Sequence, residues 1–466
     1  MSDVPSHYLE LLEAARLVAS RDCSSETLTR ALLERIRKVD GGLGAYVEVM
    51  EEEALACARL ADDEVARGCV RGPLHGVPVA VKDIFHIEGH AMAAGMAMRA
   101  DEIAAGDATA IRRLREAGAV LLGRLTLTEG AYAEHRTPYR APSNPWNAQC
   151  WSGASSSGSA VAVAAGLAYA TLASETGGST KLPSAANGVT AIKPSWGRVS
   201  RHGMFELAAS LDHVGIMTRS VSDLAVMLGT VAGPDPLDPG AAQRVVPDYC
   251  AALRQPIRGL KIGLDTAWTH DGVDKMVSDA LENAVEVLCD MGAQVVPVTL
   301  PDPADMLVDW FGVCAVQTAI AHDATFPARE REYGPALAEL LRLGHRLSGI
   351  DLLRMQSRRD AFRKSLSAVL DRVDVLPMPV MSIPTPTMEQ MSSIDDDMIV
   401  AVHRFTCPFT MSGHPGIVMP CAFSPQGMPI AFQLVGRHFA EETLIRAGSA
   451  FQSQTHWHRM HPAAFD

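Results

Sequence analysis

No long run of lysine and arginine stands out in the chain. Its 41 basic side chains are outnumbered by 54 acidic ones, for a formal net charge of −13. A nucleic-acid surface needs basic groups gathered on one face, so no nucleic-acid partner is expected. The opening MSDVPSHYLE has no basic segment followed by an apolar one, which excludes a secretory leader at this position. The longest weakly polar run, Ala160 to Ala173, is too short and too rich in alanine to cross a bilayer, and no membrane partner is expected. Nine cysteines, an odd number with no Cys-x-x-Cys pair, argue against a disulfide framework or a zinc site. A reducing, cytoplasmic location fits these absences. Aromatic residues are only 5% of the chain, so a heavily aromatic pocket would have few residues to draw on. What is present is ordinary for a folded protein: 47% hydrophobic and 20% charged residues over 466 positions, enough for a large core.

The patterning points to an α/β protein. Residues 8 to 66 read as helices, with Leu28, Leu32, Leu33 and Ile36 at helical spacing and Ser25 ahead of them as an N-cap. The β-branched run Val77 to Val81 reads as a buried strand ending near Lys82. A helix from Thr109 to Ala117, stopped by Gly118, leads into a second buried strand over 119–124. Helix alternating with apolar strand predicts a sheet with helices on its faces. Residues 143 to 203 are dense in Gly, Ser and Ala, and 160–173 reads as a buried helix. Pro, Gly and Asp cluster at 233–240 and suggest a break. Strand, helix and strand follow over 260–265, 273–291 and 293–300, then a mostly helical stretch to 372. The chain returns to strand and loop near 374, with an apolar tail from 405.

Three short segments carry chemistry. Lys82 ends an apolar strand, where burial would lower its pKa and make it a usable base; a lone lysine at a strand end more often snorkels to solvent. The serines of WSGASSSGSA (151–160) open a helix, where serines commonly cap, and could also pass a proton. In SETGGSTKLPS (174–184), Gly177 and Gly178 permit a nest of successive N–H groups that holds a developing oxyanion, with Ser179 at its end. The segment lacks the Gly-Lys pair of a phosphate-binding Walker loop and does not match the Gly-x-Ser-x-Gly elbow.

Together and in this order, the three segments resemble the amidase signature family, whose members use a serine, a cis-serine and a lysine. HGVPVAVKD (75–83) matches the family's lysine block almost letter for letter. Gly153 to Ser159 aligns with its glycine–serine block, and Glu175 to Lys181 with its nucleophile block, usually Asp-Thr-Gly-Gly-Ser-Ile-Arg. Ser155 and Ser179 lie 24 positions apart, the family's usual interval. SNPWN (143–147), 188–200, 211–228, 374–379 and 427–437 are also family-like; residues 303 to 372 match least.

The resemblance implies an amidase-signature fold, a central mixed, twisted β-sheet covered by helices on both faces. It also implies one amidase domain over 1–466. This divides into an N-terminal helical segment (1–66), a signature core with the catalytic residues (67–235), a variable, partly helical region (236–400) and a C-terminal return to the core (401–466). Lys82, Ser155 and Ser179 take the catalytic places. The N–H groups of Thr176, Gly177, Gly178 and Ser179 form the oxyanion hole, and Ser156, Glu175 and Lys181 take supporting places. Neutral Lys82 would draw the proton of Ser179 through Ser155 as Ser179 attacks the carbonyl, with no metal or organic cofactor. Activity would then rise toward mildly alkaline pH.

The expected substrate is a small amide, carbamate or urea. The alternatives are the amidase subunit of a tRNA-dependent amidotransferase and a non-catalytic binding protein on the same fold; for assembly, the sequence allows a homodimer. Three departures stand out: Ala154 and Ser157 replace glycines, Glu175 replaces Asp, and Thr180-Lys181 replaces Ile-Arg. In relatives with acidic substrates that arginine can hold a carboxylate, and lysine lacks its bidentate fork.

Other polar groups read as structural. His456, His458 and His461 have the look of an ordinary tail rather than a metal cluster. Asp83 and Glu129 are expected to serve as hydrogen-bonding groups. Asp212 and His213 are adjacent on a strand and so face opposite ways, which disfavours a Ser-His-Asp arrangement. Cys150 reads as a small buried residue.

Overall fold

The apolar runs of the sequence become the middle of one long sheet. The structure, a computed structural model, describes residues 5–465. Its strands are β1 (Tyr46–Val49), β2 (Pro78–Lys82), β3 (Val120–Leu125), β4 (Ala170–Glu175), β5 (Thr190–Lys193), β6 (His213–Thr218), β7 (Lys261–Leu264), β8 (Gln294–Pro297), β9 (Val375–Pro379), β10 (Gly416–Phe423) and β11 (Pro429–Gly436). Their order is β1-β3-β2-β4-β6-β5-β10-β11-β9-β7-β8. The triplets β3-β2-β4 and β9-β7-β8 are parallel, and the pairings between them are antiparallel, so the sheet is mixed as expected. Helices flank it. Every residue of β2, β3 and β4 is buried, which is why these strands read as continuous apolar runs and not as alternating ones.

This topology positions the site. β2 and β4 are parallel neighbours, with Ala80 opposite Thr171 and Val81 opposite Leu172. Lys82 at the end of one strand and the 174–181 segment at the end of the other therefore emerge side by side. Ligand sites in open α/β sheets gather at such carboxyl ends.

Several expected elements need correction. Residues 8 to 66 are not all helical: helices Leu11–Ser20, Ser25–Leu43 and Glu51–Ala66 are interrupted by β1, which adds an edge to β3. The N-cap is Ser24, whose hydroxyl accepts the Thr27 N–H; Ser25 lies inside the helix and donates to the Gly76 carbonyl. The helix read over 160–173 is Ser157–Ala164 only, and Ala170–Glu175 is β4. Gly166 ends it at φ +69°, where a Cβ would lie 2.8 Å from the His7 carbonyl oxygen. The cluster at 233–240 does not divide the sheet, because strands before and after it share one order.

The region 303–372 is helical, as expected, and holds Ala304–Ala321, Pro335–Arg346 and Gly349–Leu370. Helix Ala304–Ala321 is long and apolar enough to cross a membrane by length and composition (mean hydropathy 1.3); half of it is buried in the protein. It packs against both following helices.

Candidate active site

Lys82 is fully buried, and its ammonium group is surrounded by hydroxyls. Nζ donates to Ser155 Oγ at 2.7 Å, Ser174 Oγ at 2.8 Å and Ser156 Oγ at 2.9 Å. Burial lowers its pKa from 10.5 to about 7, an effect only partly offset by the negative charges of Asp212 and Glu175. The three serines are not equivalent. Ser156 gives its proton to the Ser174 carbonyl at 3.1 Å, so toward Lys82 it can only accept. Ser155 has no other side-chain partner among the described residues, and its proton remains free to move. The Ala154–Ser155 peptide is cis.

Ser179 stands at the end of the next loop. It is the only residue between 170 and 180 that is not buried, and it opens onto a cavity of 420 Å³. Its backbone carbonyl accepts the Ser156 N–H at 3.3 Å, which ties the two serine loops together. The amides of Thr176, Gly177, Gly178 and Ser179 have no acceptor among the described residues. The next two, Thr180 and Lys181, both donate to Glu175 Oε2, at 2.7 and 3.1 Å. Four successive unused N–H groups beside a partly exposed serine offer the geometry an oxyanion requires.

The loop is held from behind. Trp310 Nε1 donates to the Thr176 carbonyl at 2.7 Å, and Thr406 Oγ1 donates to the Gly177 carbonyl at 2.6 Å. A peptide unit is planar, with C=O and N–H pointing opposite ways. Gripping these two carbonyls therefore turns the N–H groups of Gly177 and Gly178 to the other side. Glycine is required at both places: a Cβ on residue 177 would lie 2.4 Å from the Trp310 ring, and Gly178 has φ +149°. Thr406→Val keeps the shape and removes one grip. We expect kcat to fall about tenfold with KM unchanged, the cost of roughly one hydrogen bond felt at the transition state; an equal rise in KM would show that the loop serves binding instead.

Glu175, Lys181 and Asp212 brace this arrangement. Glu175 also accepts from Thr410 Oγ1 at 3.1 Å and lies 3.7 Å from Lys181 Nζ, so Glu in the place of Asp still locks the loop. The idea that residue 181 faces a substrate carboxylate is not met. Lys181 is fully buried, faces Glu175 and the Phe409 ring, and does not line the cavity. Asp212 accepts the Thr176 hydroxyl at 2.6 Å and the amides of Leu207 and Ala208, and burial raises its pKa to about 7.

His213 turns elsewhere, 3.1 Å from Lys193 Nζ, so the two neighbours do not cooperate. Asp83 pairs with Arg124, and Glu129 accepts the Gly334 amide. Cys150 is buried away from the cavity, and burial raises its thiol pKa. His461 stacks on Tyr8, His456 on Trp457, and His458 faces Glu10.

Four residues at this site have no counterpart in the sequence reading: Ser174, Trp310, Thr406 and His403, the last of which lines the cavity. Ser174 could have been noticed as the strand residue just before the nucleophile block. The other three are supplied by segments more than 120 positions away, with no local signature.

Known proteins resemble the chain over nearly its whole length. Residues 27–445 match the amidase family. The chain belongs to that family. It is an amide C–N hydrolase by kinship. It is 44% identical over 456 residues to the putative amidase AmiD of Mycobacterium tuberculosis, covering 97% of this chain and 96% of the other. It is 36% identical over 483 residues to a glutamyl-tRNA(Gln) amidotransferase subunit of Chloroflexus aurantiacus, covering 98% of each. Among solved structures, the peptide amidase of Stenotrophomonas maltophilia superposes with a TM-score of 0.84 at 29% identity, covering 97% of this amidase and 98% of the other chain.

Proposed function

We propose that the amidase hydrolyses small amides through an acyl-enzyme on Ser179, with Ser155 as proton relay and Lys82 as base. Carbamates and ureas present the same carbonyl and belong to the same reading. What supports it is one juxtaposition: a buried lysine with its pKa near neutrality touches Ser155, and the loop beside that serine offers the partly exposed Ser179 with four unused amides. Neutral Lys82 takes a proton from Ser155 as Ser155 takes one from Ser179 and Oγ bonds to the carbonyl carbon. The oxyanion is held by the amides of residues 176 to 179. The C–N bond breaks as the proton returns through Ser155 to the leaving nitrogen. Water then attacks the acyl ester by the same relay, releasing the acid and restoring Ser179.

The relationship to amidotransferase subunits keeps a second reading in view, in which the protein works within a complex and handles an acidic amide. The position of Lys181, outside the cavity and paired with Glu175, weighs against it. Turnover by the purified single chain would decide against it.

The reading is tested with a fluorophosphonate probe and peptide mass spectrometry. The adduct should form on Ser179. Its rate should climb about tenfold per pH unit up to about 7 and then level, because the attacking form needs Lys82 neutral. Asp212 titrates in the same range and interacts with Lys82, so the midpoint belongs to the pair. A profile flat from pH 6 to 9 would rule out Lys82 as the base.

A further inference from the structure

The cavity over Ser179 has a definite chemical character. Its wall includes Trp151, Leu182, Trp310, Leu340, Met391 and Ile399. Its charged lining residues, Glu134, Glu339 and Arg346, are all exposed and so lie at the mouth. There Glu339 is neutralised by Arg342 and Arg346, while Glu134 has no cationic partner among the described residues. Among the described residues no cation is available inside: Lys82 is committed to three hydroxyls and Lys181 faces Glu175. A substrate carboxylate would meet an entrance with no excess of positive charge and then lose its hydration with nothing to pair it.

Besides its charged residues, the lining from outside the serine loops includes the polar side chains of Tyr132 and His403, and His403 is the one with a fixed tautomer. His403 ends helix Asp396–His403, and its ring stacks on Trp310 at 6.0 Å. Its Nδ1 lies 3.1 Å from the Ile399 carbonyl oxygen, which can only accept, so Nδ1 carries the proton. Burial keeps the ring neutral by lowering its pKa. Nε2 is then a bare acceptor. It has no protein partner among the described residues and is not among the atoms sealed from solvent, and the cavity is the space His403 lines.

We infer that the substrate is a neutral amide with an apolar acyl group, aromatic or branched aliphatic, and that His403 accepts a hydrogen bond from an N–H of that substrate. The inference rests on Ser179 as the reacting group. The cavity volume, near the low end of the usual range for small-molecule sites, fits one such group and not a long chain.

The test compares kcat/KM for phenylacetamide and 4-methylpentanamide with that for the monoamide of adipic acid, which carries a carboxylate at similar length. The apolar amides should lead by about a hundredfold or more, the scale expected for burying an unpaired charge. His403→Leu should raise KM for the preferred amide about tenfold with little change in kcat. His403→Gln, which retains an acceptor, should recover most of the loss. A purely structural role for His403 would not be rescued in this way and would lower kcat as well. Acidic amides turned over as well as apolar ones, or no turnover of apolar amides, would overturn the substrate class; an unchanged KM in His403→Leu would overturn the role of His403. Fluorophosphonate labelling is read in parallel. An adduct on Ser179 without apolar turnover refutes the class alone, whereas apolar preference without the adduct refutes the nucleophile alone.

Discussion

Ser179→Ala should leave the protein folded and lower kcat by at least about 10⁴-fold, the scale seen when a nucleophile that acts with its partners as one unit is removed. The expectation of an intact fold is physical. Ser179 is partly exposed, its side chain makes no hydrogen bond among the described residues, and only an oxygen at the cavity wall is lost. Such changes usually alter stability by less than about 0.5 kcal/mol. Residual turnover should survive, since the amides of residues 176 to 179 can still polarise a carbonyl for attack by water. Ser155→Ala is the informative companion. It removes the proposed relay while keeping the proposed nucleophile, and should cost about 10²- to 10⁴-fold, the range for a positioned proton-transfer group. Steady-state rates on one amide, with melting curves for each variant, check both. Loss of activity accompanied by a large drop in Tm would point to unfolding and not to chemistry.

Lys82→Met should abolish the pH dependence below neutrality and lower kcat by about 10³-fold or more, while making the protein more stable at pH 7. The sign follows from the two states. An unfolded lysine titrates near 10.5 and the buried one near 7. The folded chain therefore forgoes a proton that the unfolded chain keeps, a penalty of roughly 5 kcal/mol that is full below about pH 7 and fades as pH rises toward 10.5. Methionine of similar length escapes it. The three lost hydrogen bonds offset about 1 kcal/mol each, leaving a net gain of roughly 2 kcal/mol at pH 7. Chemical denaturation of both proteins at pH 7 and pH 10 measures this. If methionine destabilises at pH 7 and the rate falls, Lys82 is a structural cation and not a base.

The proposed catalytic groups were legible as candidates because each sits in a short segment whose backbone is set locally. An apolar strand ends at Lys82, and paired glycines admit the loop before Ser179. Their supports were not legible. Trp310 and Thr406 reach the loop from more than 130 and 220 positions away, and within their own segments they read as core residues. The alanine-rich stretch misled for a different reason. Small residues over 160–173 carry no contrast between faces, so helix and buried strand look alike until Gly166 separates them. At the N-cap of helix Ser25–Leu43, adjacent serines were indistinguishable by pattern. Asp62, which accepts the amides of Ser25 and Glu26, and the Gly76 carbonyl, which takes the Ser25 hydroxyl, decide between them.

Trp310 is both a wall of the cavity and the grip on Thr176. A lineage exploring new substrates by altering this helix would disturb the rate whenever it reshaped the fit, because one side chain serves both. Met391, Ile394 and Ile399 line the same space without touching the loop's carbonyls. Diversification should therefore accumulate along that second wall, where selectivity can drift while turnover is preserved, and Trp310 should change last.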